Sequence, residues 1–286
     1  MTLVKRLAAV LLTFLLLMTA SCGASAEAEL LVLMYHHINE TGDDIVTVSS
    51  ETFAQQLDLL LEEGWETVSP AELVDFVDRG KPLPEKPVCI VFDDGYESNY
   101  IYAAPALAER NMTASICVIG WCMGKTVYKD TDVPIIPHLS WAQARILDAS
   151  GVITIGSHTY DMHQNADLEE GEARVDATPL PYDTPSDFDT AFRADFNALR
   201  AEMEAELGHG PLIFAYPHGR YYVRAENILR HEGVRITFIT DVGRNTIRRG
   251  DPDSLHLLRR YSINEFTDLS SILNPPETSA GTEGAN

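Results

Sequence analysis

Short apolar segments alternate with amphipathic segments along most of the chain. Most of the apolar segments lack the regular polar alternation of a half-exposed strand, which is typical of strands buried on both faces of a parallel sheet. The amphipathic segments between them carry apolar residues at helical spacing and predict helices. Seven strands are predicted in this way, over residues 30–35, 88–92, 115–119, 152–155, 212–216, 235–239 and 257–263.

Capping signals mark the ends of the predicted helices. Ser69 is followed three residues later by Glu72, and Ser140 by Gln143, which is the capping-box pattern of a helix start. A glycine follows each helical segment, as is common at helix ends. The acidic, proline-containing stretch 167–189 predicts a surface loop. The helices are predicted over residues 51–63, 70–79, 141–150, 190–207 and 222–232.

The repeated β-α units predict a parallel sheet with helical crossovers. About seven strands suit a (β/α) barrel with one unit fewer than the usual eight. An open, doubly wound sheet is the alternative fold. It favours a glycine-rich turn after its first strand, but the sequence there is Y-H-H-I-N-E over residues 35–40, without glycine.

The N-terminus has the features of an export signal. Lys5 and Arg6 precede an apolar run over residues 7–18 that is too short to span a bilayer comfortably. T-A-S-C at residues 19–22 resembles a bacterial lipobox, in which Cys22 would carry lipid, and A-S-A at 24–26 offers another cleavage site. We expect a signal peptide over 1–26, one domain over 29–272 and a disordered tail over 273–286. The mature protein is then extracytoplasmic, secreted or anchored as a lipoprotein to the outer face of the bacterial membrane.

The charge balance narrows the possible partners. The chain has 43 acidic and 21 basic residues and a formal net charge of −22. Such a surface repels phosphate backbones, so nucleic acid is not an expected partner. Membrane contact is expected only through the possible lipid anchor.

Polar residues suited to chemistry follow nearly every predicted strand. His36 and His37 follow the first strand, Asp93 and Asp94 the second, and His158 the fourth, with His163 five residues further on. In a parallel barrel these strand ends lie on one face, and that face holds the active site. The pattern predicts that these side chains meet.

One carboxylate and two imidazoles are a suitable ligand set for Zn²⁺ or a similar divalent ion, with a position left open for water. His158 and His163 are five positions apart, which is about 140° on an α-helix, so they can share an ion only from a loop. Gly156 and Ser157 just before them predict that loop. Asp93 and Asp94 are adjacent, and the metal needs only one of them as a ligand. The other can therefore act as a base that takes a proton from the water.

These residues lie in motifs that resemble those of polysaccharide deacetylases, the NodB-homology or carbohydrate esterase family 4 domain. V-F-D-D-G at 91–95 resembles the first motif, and S-H-T-Y-D-M-H at 157–163 resembles the second with one residue more between its histidines. The longer spacing, and L-M-Y-H-H-I at 33–38, resemble the branch that de-N-acetylates poly-N-acetylglucosamine. F-A-Y-P-H-G at 214–219 resembles the third motif.

The resemblance implies a deformed (β/α) barrel with about seven parallel strands, and hydrolysis of N-acetyl groups on an extracellular or cell-wall polysaccharide. It implies that Asp93 is the general base. Asp94, His158 and His163 would hold Zn²⁺, or another divalent metal such as Co²⁺ or Ni²⁺, whose bound water attacks the acetyl carbonyl.

The sequence departs from the usual family pattern in two respects. Ala215 stands where the third motif usually has an arginine that orients the base, and Arg260 is the candidate for that role. A late Leu-x-His that usually supplies the acid is not found near the C-terminus. The resemblance therefore makes His36 the candidate general acid, with His37 as the alternative.

An acetylated polysaccharide is the expected partner, and Tyr216, His218 and Trp141 are candidate substrate-binding residues. Two other functions stay open. One is an O-acetyl esterase of the xylan type, since the same attack serves either carbonyl. The other is a catalytically inactive glycan-binding lipoprotein with the same fold.

Overall fold

A curled, mostly parallel sheet forms the centre of this computed structural model, which describes residues 26–42 and 45–275. The strand order is β10-β1-β5-β6-β7-β8-β9; β4 also pairs with β5, and β11 with β1. β2 and β3 form a separate parallel pair. The strands are β1 (Glu27–Tyr35), β2 (His37–Asn39), β3 (Thr47–Ser49), β4 (Glu66–Thr67), β5 (Pro87–Phe92), β6 (Ala114–Val118), β7 (Ile153–Ser157), β8 (Ile213–Ala215), β9 (Ile236–Phe238), β10 (Asn245–Arg248) and β11 (Tyr261–Ser262).

Parallel pairing from β1 through β9 brings the carboxyl ends of the strands to one edge. The segment before β11 joins the two ends of the curl, because Leu258 bridges Phe238 of β9 and β11 pairs with β1. The one antiparallel partner of β1 in the described chain is β10. The deformed (β/α) barrel expected from the sequence is thereby confirmed.

Helices follow most strands and pack on the sheet. They are α1 (Ser50–Glu62), α2 (Pro70–Arg79), α3 (Ala104–Glu109), α4 (Trp141–Ser150), α5 (Pro185–Leu207), α6 (Val223–His231) and α7 (Leu269–Leu273). α2 and α4 begin with the predicted capping boxes at Ser69 and Ser140, and end at Gly80 and Gly151, which are both left-handed. Each serine side chain accepts the N–H of Glu72 or Gln143, and the side chain of Glu72 or Gln143 accepts the N–H of the serine in return. N–H groups that would otherwise be unpaired at the helix start are thereby satisfied.

The prediction of a loop over 167–189 is wrong at its end. α5 begins at Pro185, five residues before the predicted start. Thr184 accepts a hydrogen bond from the N–H of Asp187, and the Asp187 side chain accepts one from the N–H of Thr184. The end of the acidic, proline-containing stretch, from Pro185 on, is therefore the start of a helix, where proline and a negative charge are both favoured.

The predicted strand over 257–263 is also largely wrong, since only Tyr261–Ser262 are extended and paired as a strand. Leu257 has a φ of 57°, which interrupts an extended backbone at the start of the segment. The sequence did not predict β10, α3, α7 or the π-helix over Asn99–Ala103 that leads into α3.

The core lies on both faces of the sheet. All six residues of β5 are buried, as expected of a central parallel strand. Cys89 and Cys117 are buried and unpaired thiols on β5 and β6. Within the described residues, the helices are too short or too polar to cross a membrane. Residues 1–25 of the predicted signal peptide, Cys22 included, lie outside the described residues, as does most of the predicted tail.

Candidate metal centre

The turn after β5 places two acids at the carboxyl edge of the sheet. Asp94 and Gly95 both have positive φ, of 70° and 78°. A Cβ atom on Gly95 would lie 2.8 Å from Cγ1 of Val118 on β6, so this position needs glycine. The N–H of Asp93 donates to the carbonyl of Tyr35 at the end of β1, at 2.9 Å. The tight turn thereby presents Asp93 and Asp94 at the mouth of the barrel.

Asp94, His158 and His163 meet at this edge. Oδ1 of Asp94 is 3.5 Å from Nε2 of His158 and 3.6 Å from Nε2 of His163. One ligand atom from each of the three residues lies within 4.8 Å of the others. His158 follows β7 directly, and its N–H donates to the carbonyl of Val118 at 2.8 Å. The loop predicted after Ser157 therefore brings both imidazoles to one carboxylate.

The donor set of these three residues fits a divalent cation. Nδ1 of His158 lies 2.8 Å from the carbonyl oxygen of Ala215, which can only accept a hydrogen bond, so Nδ1 carries the proton. With the proton on Nδ1, an unprotonated Nε2 faces Oδ1 of Asp94 with a lone pair. That carboxylate oxygen is buried and has no hydrogen-bond partner. Two acceptors that face each other in a buried site are stabilised by a cation between them.

Burial keeps His163 in the form that can bind a metal. Burial, together with the neighbouring His158 and His218, lowers the pKa of His163 to about 4, although Asp94 acts in the opposite direction. A neutral imidazole has a free lone pair, whereas an imidazolium has none. His163 is therefore a ready ligand at neutral pH.

Asp93 lies beside the triad and pairs with Arg260. Nη1 of Arg260 donates to Oδ1 of Asp93 at 2.7 Å, and Nε of Arg260 donates to the carbonyl of Ile239 at 2.9 Å. The Arg260 side chain has no exposed surface. Burial alone would raise the pKa of Asp93, but Arg260 and His158 lower it to about 2. Asp93 is therefore anionic, and one of its oxygens is fixed.

His36 and His37 differ in their surroundings. His36 follows β1, and its charge lowers the pKa of both Asp93 and Asp94. Its Nδ1 is buried without a hydrogen-bond partner. His37 lies in β2, where its Nδ1 is 3.2 Å from the hydroxyl oxygen of Thr47. His36 is thus among the groups that lower the pKa values of the two acids, against the effect of burial.

The three candidate substrate-binding residues lie in different environments. The ring of His218 packs edge-on against that of His163, with centroids 4.5 Å apart. Tyr216 has no exposed surface, and its hydroxyl donates to Glu226 at 2.9 Å. Tyr216 therefore offers no face to a polysaccharide, and the expectation for it is corrected. Trp141 is half-buried against the core, with its indole N–H 3.2 Å from Glu202.

A cleft of about 300 Å³ opens beside Asp94 and His163. Trp121 and Tyr128 line it with their rings at 4.8 Å, and neither was singled out from the sequence. Trp121 comes two residues after the predicted strand 115–119, so the strand-end rule could have identified it. Trp141 is not part of this lining. The remaining lining residues are Tyr96, Ile119, Cys122, Ile135, Ile136, His138 and Asn165.

Comparison with known proteins agrees with this fold. A family model described as polysaccharide deacetylase matches residues 80–237, which is more than half of the chain. The curled sheet is thus that of a recognised class of protein. The chain belongs to the polysaccharide deacetylase family.

Individual relatives are similar to it over most of its length. The poly-beta-1,6-N-acetyl-D-glucosamine N-deacetylase of Escherichia coli strain K12 is 24% identical over 231 residues, which cover 74% of this chain. The chain spans about a third (34%) of the length of that relative. Among solved structures, IcaB from Ammonifex degensii is 28% identical with a TM-score of 0.67, over 86% of this chain and 95% of that one. A de-N-acetylase from Aggregatibacter actinomycetemcomitans shares the fold, with 23% identity and a TM-score of 0.71, over 86% of this chain and 99% of that one.

Proposed function

We propose that this protein hydrolyses N-acetyl groups on an extracellular or cell-wall polysaccharide of the N-acetylglucosamine type. The observation that carries the proposal is the convergence of Asp94, His158 and His163 within 4.8 Å, with the anionic Asp93 beside them. The similarity to a poly-beta-1,6-N-acetyl-D-glucosamine N-deacetylase supports this choice of substrate class.

Asp94, His158 and His163 would hold the cation, with Zn²⁺ as the first choice and Co²⁺ or Ni²⁺ as alternatives. A divalent cation bound there supplies Lewis acidity, which polarises the acetyl carbonyl and lowers the pKa of water. The carboxylate and imidazole donors suit all three metals.

Asp93 acts as the general base in this proposal. It takes a proton from the water that adds to the acetyl carbon, and a backbone N–H near His218 stabilises the oxyanion. Arg260 holds one carboxylate oxygen of Asp93 at 2.7 Å. The other oxygen is thereby oriented to accept the proton of the water. Arg260 thereby takes the role that an arginine in the place of Ala215 would have.

His36 acts as the general acid. The bond between the acetyl carbon and the sugar nitrogen breaks, the nitrogen receives a proton from His36, and acetate and a free amine result. An imidazole suits this step because it can lose and regain a proton near neutral pH. The position of His36, close enough to influence Asp93 and Asp94, supports this assignment over His37.

We also propose an extracytoplasmic protein that is secreted or held by a lipid on Cys22. The basic start and the apolar run within residues 1–26 support this location. The domain over 29–272 carries the whole proposed site, and the acetylated polysaccharide is its partner. Of the three substrate-binding candidates, His218 keeps the strongest support because its ring contacts that of His163.

The test is to incubate the metal-free protein and the protein loaded with Zn²⁺, Co²⁺ or Ni²⁺ with N-acetylglucosamine oligomers, and to measure acetate and new primary amines. We expect both products in equal amounts, only with metal, and none after chelation. Acetylated xylan is the comparison substrate. Acetate from xylan alone would favour an O-acetyl esterase, and no product from either substrate would favour a glycan-binding protein.

A further inference from the structure

The segment between His158 and His163 has an unusual backbone. Thr159 is fully buried and has a φ of 74°. A β-branched residue in this region is strained, so the surrounding structure must hold it there. Because the ring positions of both histidines depend on this segment, whatever fixes its backbone also fixes the two imidazoles.

Asp195 on α5 contacts the middle of this segment. One carboxylate oxygen accepts the N–H of Tyr160 at 2.8 Å, and the other accepts the N–H of Asp161 at 2.7 Å. Among the described residues, Asp195 forms no ion pair within 4 Å, so these two N–H groups are its main partners. Burial raises the pKa of Asp195 to about 6, although the N–H groups of Tyr160 and Asp161 lower it in part.

The other side of the same peptide units is held by the loop after β6. The N–H of Gly120 donates to the carbonyl of Thr159 and that of Trp121 to the carbonyl of Tyr160, both at 3.1 Å. The peptide units on either side of Tyr160 are thus hydrogen-bonded both to the loop after β6 and to α5. The hydrogen bonds from the loop after β6 are donated by backbone groups, but those on the side of α5 depend on the Asp195 side chain alone.

We propose that Asp195 is a positioning residue that sets the geometry of His158 and His163 for metal binding. Its carboxylate orients neither imidazole directly but fixes the strained segment that joins them. Partners behind the ligands of a metal centre commonly change metal affinity by about 10–100-fold when they are removed. The inference rests on the metal site of the proposed function, but not on the identity of the polysaccharide.

The test titrates metal-free protein with Co²⁺ alone and records the dissociation constant and the visible spectrum of the bound ion. We expect Asp195→Ala to weaken Co²⁺ binding by about 10–100-fold and to change the spectrum. Asp195→Asn keeps one acceptor oxygen and should fall between Ala and the unchanged protein. Co²⁺ affinity and spectrum unchanged in Asp195→Ala would overturn the proposal.

Asp189→Asn is the matched control. Asp189 lies on the same helix and also accepts two hydrogen bonds, but from the guanidinium of Arg224 at 2.8 and 2.5 Å. It should leave Co²⁺ affinity and spectrum unchanged even if it lowers stability. Equal weakening in Asp189→Asn would assign the effect to general loosening of α5 and overturn the role of Asp195.

Amide hydrogen exchange of the unaltered metal-free protein keeps the proposal testable if the Asp195 variants do not fold. The N–H groups of Tyr160 and Asp161 should exchange about 100-fold or more slowly than in an unstructured chain. Unprotected exchange at both would overturn the proposal. Neither experiment contains polysaccharide, so failure of the deacetylase assay and failure of this inference are separate results.

Discussion

Arg260 and Asp93 form a buried ion pair although 167 positions of the chain separate them. The pair joins the segment before β11 to the turn after β5, and it lies directly beside the candidate metal ligands. Removing one partner of a buried ion pair leaves the other charge without compensation, which is far more costly than losing a surface pair.

Replacement of Arg260 by methionine should destabilise the protein by about 3–5 kcal/mol, because Asp93 would stay buried without its cation. Urea unfolding monitored by circular dichroism measures this change. Asp93→Asn in the Arg260→Met background should recover part of the loss, since it removes the unpaired charge. Simple addition of the two single effects would contradict a direct coupling between the residues.

Asp93 and Asp94 should separate chemistry from metal binding. Asp93→Asn is expected to keep bound Zn²⁺ and to lose about 10²–10⁴-fold in rate, because the metal site stays but the base is gone. Asp94→Ala is expected to lose the metal, because it removes the one carboxylate of the triad. Metal content by atomic absorption and acetate release measure the two properties. Equal metal loss in both variants would refute this division of roles.

His36 and His37 form a natural pair of test and control. His36→Gln should lower the rate of acetate release by about 10²–10⁴-fold, because the leaving amine loses its proton donor. His37→Gln should stay within a few-fold of the unchanged protein, because His37 is not the proposed proton donor and contacts Thr47 and Tyr96. A larger loss with His37→Gln than with His36→Gln would exchange the two assignments.

The buried cysteines should be inert in the folded protein. Burial raises the pKa of Cys89 to about 12 and those of Cys117 and Cys122 well above the usual value. Very little thiolate exists at pH 8, and reagents have little access. A thiol-specific dye should therefore label none of the three until guanidinium is added. Rapid labelling of the native protein at pH 8 would show that one of them is accessible.

The strand ends explain why so much of the site could be predicted from the sequence. Asp94, His158 and His163 each come directly after an apolar run or within a few residues of it, and parallel pairing then brings them together. Tyr216 also stands at a strand end, but its side chain points into the core towards Glu226, and strand position alone does not reveal that direction.

Other features depend on tertiary contacts and were not predictable. Asp195 is one of several acids on a charged helix, and no local signal separates its carboxylate from those that face solvent. β10 is recognisable only from its pairing with β1. The start of α5 was missed because proline and acidic residues favour both loops and first helical turns.

The curl of the sheet is completed by a segment with little regular secondary structure, and that segment carries Arg260. The same segment therefore closes the barrel and carries the guanidinium that compensates the charge of Asp93. Warming that frays residues 258–262 would withdraw the guanidinium from Asp93 while the helices are still intact. Loss of the proposed deacetylase activity on heating is then expected to come before the loss of helical signal, because it would depend on this segment alone.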